Sequence, residues 1–204
     1  MIRKNENCCE RSCDPEIYID QNDQLLSNRK LLISGEINDQ IADYINTSLQ
    51  VLASSDEPVY IYINSPGGEV SAGYSIIDQM ELSPFDVVTI VRGQAGSMGA
   101  IIAIYGDKRY ITRNSTVMIH SMIIENISSD INSCEKIIKH LKKTYDRQIN
   151  DICKRIKISK SKLLKLLKDT HWMEAEEAIK IGLTHGIWTK EMEKISNDKK
   201  KDNT

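Results

Sequence analysis

Apolar and polar positions follow two rhythms along the chain, and the rhythms take turns. "LLISGEI" reads as a short strand, and Ile41, Ile45 and Leu49 then recur every fourth residue, one face of a helix. "PVYIYINS" is a continuous β-branched and aromatic run, the signature of a strand buried on both faces. In "PGGEVSAGYSIIDQM", Gly73, Ile76, Ile77 and Met80 fall at helical spacing i, i+3, i+4 and i+7. "DVVTIV" is the next strand, ending at Val91, and "SMGAIIAIYG" the next helix. "RYITRNSTVMIH" divides into two strand-like pieces around a polar turn. Strand and helix in alternation predict an α/β domain with a largely parallel sheet.

The last third changes rhythm. From about residue 128 to 156 the pattern is helical throughout, with Ile131, Ile138, Tyr145 and Ile152 every seven residues and Cys134, Leu141 and Ile149 beside them. At 1.5 Å per residue this is a helix of about 40 Å, long for so small a domain. It is expected to project and to bury its stripe on a partner subunit. A shorter helix, "SKSKLLKLLKD", follows. Residues 1–16 are polar and irregular and are expected to form a flexible arm. The main domain then covers 17–189. Residues 190–204 are charged, with no apolar residue after Ile195, and are expected to form a disordered tail.

Composition narrows the classes. With 40% hydrophobic and 27% charged residues, the 204-residue chain can build a core, and with 5% aromatics that core is aliphatic. A net charge of −2 without a basic stripe outside the tail excludes nucleic acid as the main partner. No apolar run is long enough for a bilayer, and the N-terminus lacks a signal-peptide core, so a cytoplasmic protein is expected. The odd count of five cysteines argues against a disulfide framework. Cys8, Cys9 and Cys13 have no fourth ligand nearby, so no metal site is expected.

The candidate chemistry begins in "GQAGSMGA". Ser97 stands where a strand gives way to a helix, beside unpaired N–H groups and the positive end of the helix dipole. Serine is also a good N-cap, and this stretch alone favours capping. "INSPGGEV" changes the balance, because it sets glycines at a second strand-to-helix turn. An N–H from Gly68 and one from Met98 would make a two-donor oxyanion hole. Open α/β sheets carry their sites at the carboxyl ends of strands. The phosphate-loop pattern is absent. His120 ends the strand "STVMIH", also at a carboxyl end, and can serve Ser97 as base, although a histidine there is more often structural. Asp169, where a helix gives way to a loop, is the candidate third member, although it can equally be a simple helix end.

Together "YINSPGGEVSAGYSIIDQM", "GQAGSMGA" and "RNSTVMIH" closely resemble the ClpP family, the proteolytic subunit of the ATP-dependent Clp protease, with the likeness running from about Leu25 to Ile187. The resemblance implies a ClpP/crotonase-like fold whose long helix is a protruding handle between rings. It implies a serine endopeptidase that uses no cofactor and cleaves unfolded polypeptides inside two stacked seven-membered rings, a homo-oligomeric tetradecamer fed by an AAA+ ATPase unfoldase. Carried over, Ser97 is the nucleophile, His120 the base and Asp169 the third member, with Gly68 and Met98 as oxyanion donors. Tyr60, Tyr62 and Ile90 fit the groove in which the ATPase docks. The chain departs from the family at Ser121-Met122, where glutamine and proline are usual, at the segment "IIENISS", at a shortened link after Asp169, and at Arg92 and Thr112, where apolar side chains are usual. A catalytically weak or inactive structural subunit of a mixed ring is the alternative. Acyl-CoA chemistry on the same superfamily fold needs carboxylates near the oxyanion donors, and Glu69 is the only obvious one.

Overall fold

A computed structural model describes residues 21–124 and 130–198. After a short helix α1 (Gln21–Ser27), the chain runs β1 (Lys30–Ser34), α2 (Asp39–Leu52), β2 (Val59–Ser65), α3 (Val70–Leu82), β3 (Val87–Gly96) and α4 (Met98–Tyr105). It continues through β4 (Lys108–Ile111), β5 (Thr116–Ile119), α5 (Ile131–Ile156), α6 (Lys160–Lys168), β6 (His171–Glu174), α7 (Ala175–Lys180), β7 (Gly186–Ile187) and α8 (Lys190–Asp198). The sheet order is β1-β2-β3-β4-β7, all parallel, as the alternating rhythm predicts. β5 pairs with the far end of β3 and carries β6 antiparallel on its other side.

β3 does not end at Val91. Val88–Val91 pair with β4, whereas Gln94–Gly96 pair with β5, and the register against β2 shifts between Ile63 and Ser65. Arg92, Gly93 and Gln94 break the apolar run, yet the strand continues because a bulge turns it toward a new partner. That bend carries Ser97 to the end of a strand flanked by both β2 and β5.

Period-two alternation along β2 sorts its side chains onto two faces. Val59, Ile61 and Ile63 enter the main core with the apolar faces of α2, α3 and α4. Tyr60 and Tyr62 point the other way and join Val88 and Ile90 in a second cluster, against which Leu32, Tyr110 and Trp188 pack. Asn38 caps α2 by accepting from the Ile41 N–H at 3.0 Å. α4 is buried along its whole length, which explains its uninterrupted apolar sequence.

The long helix begins at Ile131, capped by Asp130, inside the expected span of 128 to 156. Its apolar stripe serves two environments. Ile149, Ile152 and Ile156 are buried in the main core, whereas Ile131 is 80% exposed and Ile138 39%. The last turns anchor the helix and the first turns project.

One expectation is overturned over part of its range. Residues 190–198 of the expected disordered tail form α8. Ile195 stays 59% exposed, so apolar burial does not hold this helix. Glu193 holds it, through bonds from Lys30 Nζ at 2.7 Å, Tyr62 Oη at 2.8 Å and Trp188 Nε1 at 2.7 Å. A search for apolar periodicity does not detect a polar anchor of that kind. The expected N-terminal arm and its cysteines lie outside the described residues, as does the end of the tail.

Candidate active site

Two strand-to-helix turns meet at the carboxyl edge of the sheet. After β2, Pro66-Gly67-Gly68 leads into α3, and after the adjacent β3, Ser97 leads into α4. Ser97 has φ 49° and ψ −118°, a conformation that L-residues rarely adopt and that costs about 1–3 kcal/mol. Its N–H donates to the Met118 carbonyl at 2.8 Å, which pins the turn. Its hydroxyl makes no cap bond, so the capping role that the local sequence favours is not the one it plays.

The glycines opposite are required by close approach. A Cβ on Gly67 would stand 2.6 Å from the Ser97 Cβ, and one on Gly68 only 2.1 Å from the Ile37 carbonyl oxygen. Ile37 braces this loop on both sides of Gly68, donating to the Gly67 carbonyl at 2.8 Å and accepting from the Glu69 N–H at 2.9 Å. Among the described residues, neither the Gly68 nor the Met98 N–H has a protein acceptor. Met98 opens α4, so the positive end of that helix also lies here.

A cleft of about 420 Å³ brings these groups together. Ser97, Met98, Gly68 and His120 all line it, with Ile101, Ile119 and Leu167 among its apolar walls. Of the four histidines, His120 is the one in this cleft. Its Nδ1 lies 2.5 Å from the Ser121 carbonyl oxygen. A carbonyl can only accept, so Nδ1 carries the proton and the neutral ring keeps Nε2 as its basic nitrogen. Ser121 is itself held on the end of α6, its N–H donating to the Leu167 carbonyl at 3.0 Å and its hydroxyl at 3.2 Å. The other histidines are engaged elsewhere or lie on the handle. His171 meets Glu177 at 2.7 Å. His185 accepts from the Arg109 N–H, and burial followed by the nearby Arg109 charge pushes its pKa down. His140 is on the exposed side of α5.

Asp169 does not line the cleft, and among the described residues it makes no bond to His120. It ends α6, two residues before His171 pairs with Ile119. The sequence reading also misses one wall. Tyr145, Gln148, Ile149 and Ile152 of α5 face the cleft. The heptad stripe marks Tyr145, Ile149 and Ile152, but there they read as a partner surface or as packing on the chain's own core, not as the wall of a cleft.

Tyr60, Tyr62 and Ile90 lie together on the opposite face of the sheet, beneath α8. Arg92 stacks its guanidinium 4.8 Å from the Tyr62 ring centroid. Thr112 bonds to Ser115 at 2.6 Å. Burial, and then the bond to Glu193, raise the Tyr62 pKa above the ordinary tyrosine value. Among the described residues there is no group of three or more His, Cys, Asp or Glu able to hold a metal ion, and no helix long and apolar enough to cross a membrane.

Comparison with known proteins identifies the family. The Clp protease family model matches residues 14–191. A protein of Leuconostoc citreum called "ATP-dependent Clp protease proteolytic subunit" is 38% identical over 179 residues, 84% of this chain and 88% of its own length. Proteins of the same name from Borreliella afzelii and Ligilactobacillus salivarius are 38% and 35% identical, covering 82% and 87% of this chain and 87% and 92% of their own. With its length matched almost throughout, the chain belongs to the Clp protease family, as a serine endopeptidase.

Proposed function

We propose that Ser97, His120 and the N–H groups of Gly68 and Met98 cleave peptide bonds. His120 Nε2 takes the Ser97 hydroxyl proton as Oγ attacks the carbonyl carbon. The oxyanion forms beneath the Gly68 and Met98 donors, which need no reorganisation to receive it. The imidazolium returns the proton to the leaving amine, and water cleaves the acyl-enzyme with the same base. The steps use side chains and backbone alone. Asp169 is the third member in this reading, replacing the Ser121 carbonyl at Nδ1 when the site orders.

The observation that carries the proposal is the strained Ser97 turn, whose hydroxyl caps nothing and shares one cleft with His120. A serine-reactive phosphonate is expected to label the wild type and not Ser97→Ala, and Ser97→Ala loses peptide cleavage by about a thousandfold or more. Equal labelling of the variant rejects Ser97 as nucleophile.

The assembly reading is part of the same proposal. The exposed Ile131 and Ile138 on the handle, with Ile123 66% exposed beside it, suit burial against further copies in stacked seven-membered rings. An AAA+ unfoldase would feed unfolded polypeptides through them, docking over Tyr60, Tyr62 and Ile90, in the cytoplasm. The second reading is a weak structural subunit of a mixed ring, and one observation favours it: His120 Nδ1 is held by a neutral carbonyl and not by Asp169. Turnover of short peptides by the pure chain, in a preparation shown to form rings, separates the two.

A further inference from the structure

The outer face of the sheet has an apolar floor but a charged ceiling. Tyr60, Tyr62, Val88 and Ile90 make the floor. Above it Lys30 is only 6% exposed, and its ammonium ends on Glu193 at 2.7 Å and on Asn197 Oδ1 at 2.6 Å. The Lys30 ammonium also lies 5.7 Å from the Tyr62 ring centroid, and Arg92 stacks on the same ring at 4.8 Å. The Tyr62 hydroxyl and Trp188 Nε1 converge on the second oxygen of Glu193. Three donors, from β1, β2 and the link after β7, thus aim at one carboxylate. A buried ammonium left without its counter-ion is costly, so a partner that replaces α8 and covers Lys30 again has to bring a negative group in its place. Room for more than α8 exists: a cleft of about 90 Å³ opens between Leu32, Tyr62 and Arg92.

We propose that this face is a carboxylate-reading docking site, filled in cis by α8 through Glu193, and that a docking protein enters by presenting an acidic side chain to Lys30, Tyr62 and Trp188 beside its apolar anchor. Apolar contact alone leaves Lys30 unpaired. The inference rests on the protease reading only through the docking role given to Tyr60, Tyr62 and Ile90.

The test uses the full chain carrying Glu193→Lys, which brings a second ammonium to Lys30 and expels α8. The probes are two fluorescein-labelled peptides of residues 190–204, one with the natural Glu193 and one with Glu193→Gln, read by anisotropy. The variant is expected to bind the natural peptide at least tenfold more tightly than its Gln twin and than wild type binds it. Lys30→Met added to the variant is expected to erase the preference. A red shift of Trp188 emission in the variant checks that α8 has left. Equal affinity for both peptides, or no binding of either up to the millimolar range, overturns the proposal. Phosphonate labelling of the same samples reports the protease reading separately. Loss of labelling with selective binding retained rejects that reading and not this one.

Discussion

The cleft and the outer face lie on opposite sides of one sheet and are held by different means. Backbone makes the cleft: a strained serine, two glycines under close approach and two N–H groups without acceptors among the described residues. Side chains make the outer face: Glu193 with Lys30, Tyr62 and Trp188. Backbone geometry has few solutions and tolerates no added atoms, whereas a side-chain cluster can open and close. The difference teaches which region is fixed and which can switch.

The largest expected effect comes from adding one methyl group on the backbone side. In Gly68→Ala the new Cβ would meet the Ile37 oxygen at 2.1 Å and its nitrogen at 2.7 Å, and φ is +149°. Those are backbone atoms and cannot swing aside. The expected cost is about 3–5 kcal/mol in denaturant unfolding, with peptidase activity lost as the oxyanion donor moves. An unchanged midpoint with full activity would show that the loop is softer than its bonds imply and that the contrast between the two regions is false.

How much of this was legible in the sequence follows the same division. Glycine and serine identities record backbone demands directly, so "SPGG" and "GSMG" disclose the two turns in the sequence itself. The parallel sheet was legible because both of its rhythms are apolar. The bend in β3 was not, since polar Arg92 and Gln94 look like a strand end until β5 is seen beside them. α8 was hidden for a related reason: its anchor is a charged residue among charged residues, and its three donors come from positions 30, 62 and 188. No local pattern joins those positions. The relation of Asp169 to His120 was not legible, because a chain reading cannot register that the Ser121 carbonyl lies against Nδ1.

A smaller effect tests that last point. The Ser121 carbonyl fixes the His120 tautomer but carries no full charge, so it stabilises the imidazolium less than a carboxylate does. If Asp169 takes over Nδ1 when the site orders, Asp169→Asn lowers kcat/KM by about tenfold to a hundredfold with the phosphonate still reacting. Unchanged kcat/KM assigns the orienting role to the Ser121 carbonyl and removes Asp169 from the machinery.

The smallest effect belongs to the switchable face and is read against pH. Burial pushes the Glu193 carboxyl up, but bonds from Lys30, Trp188 and Tyr62 outweigh it and hold the group below its ordinary value. A carboxyl depressed in the folded state contributes its stability above the unfolded-state value and loses it as pH falls through the folded one. α8 is therefore expected to stay docked at neutral pH and to release only in acid below the ordinary glutamate range, where the carboxylate takes up a proton. Trp188 emission should shift red across that window in the wild type, ahead of the loss of far-UV helix signal from the core. Glu193→Gln cannot titrate there, so its emission should already be partly shifted at pH 7 and flat until the core unfolds. A wild-type transition that survives in Glu193→Gln moves the switch to another carboxylate and leaves the outer face as rigid as the cleft.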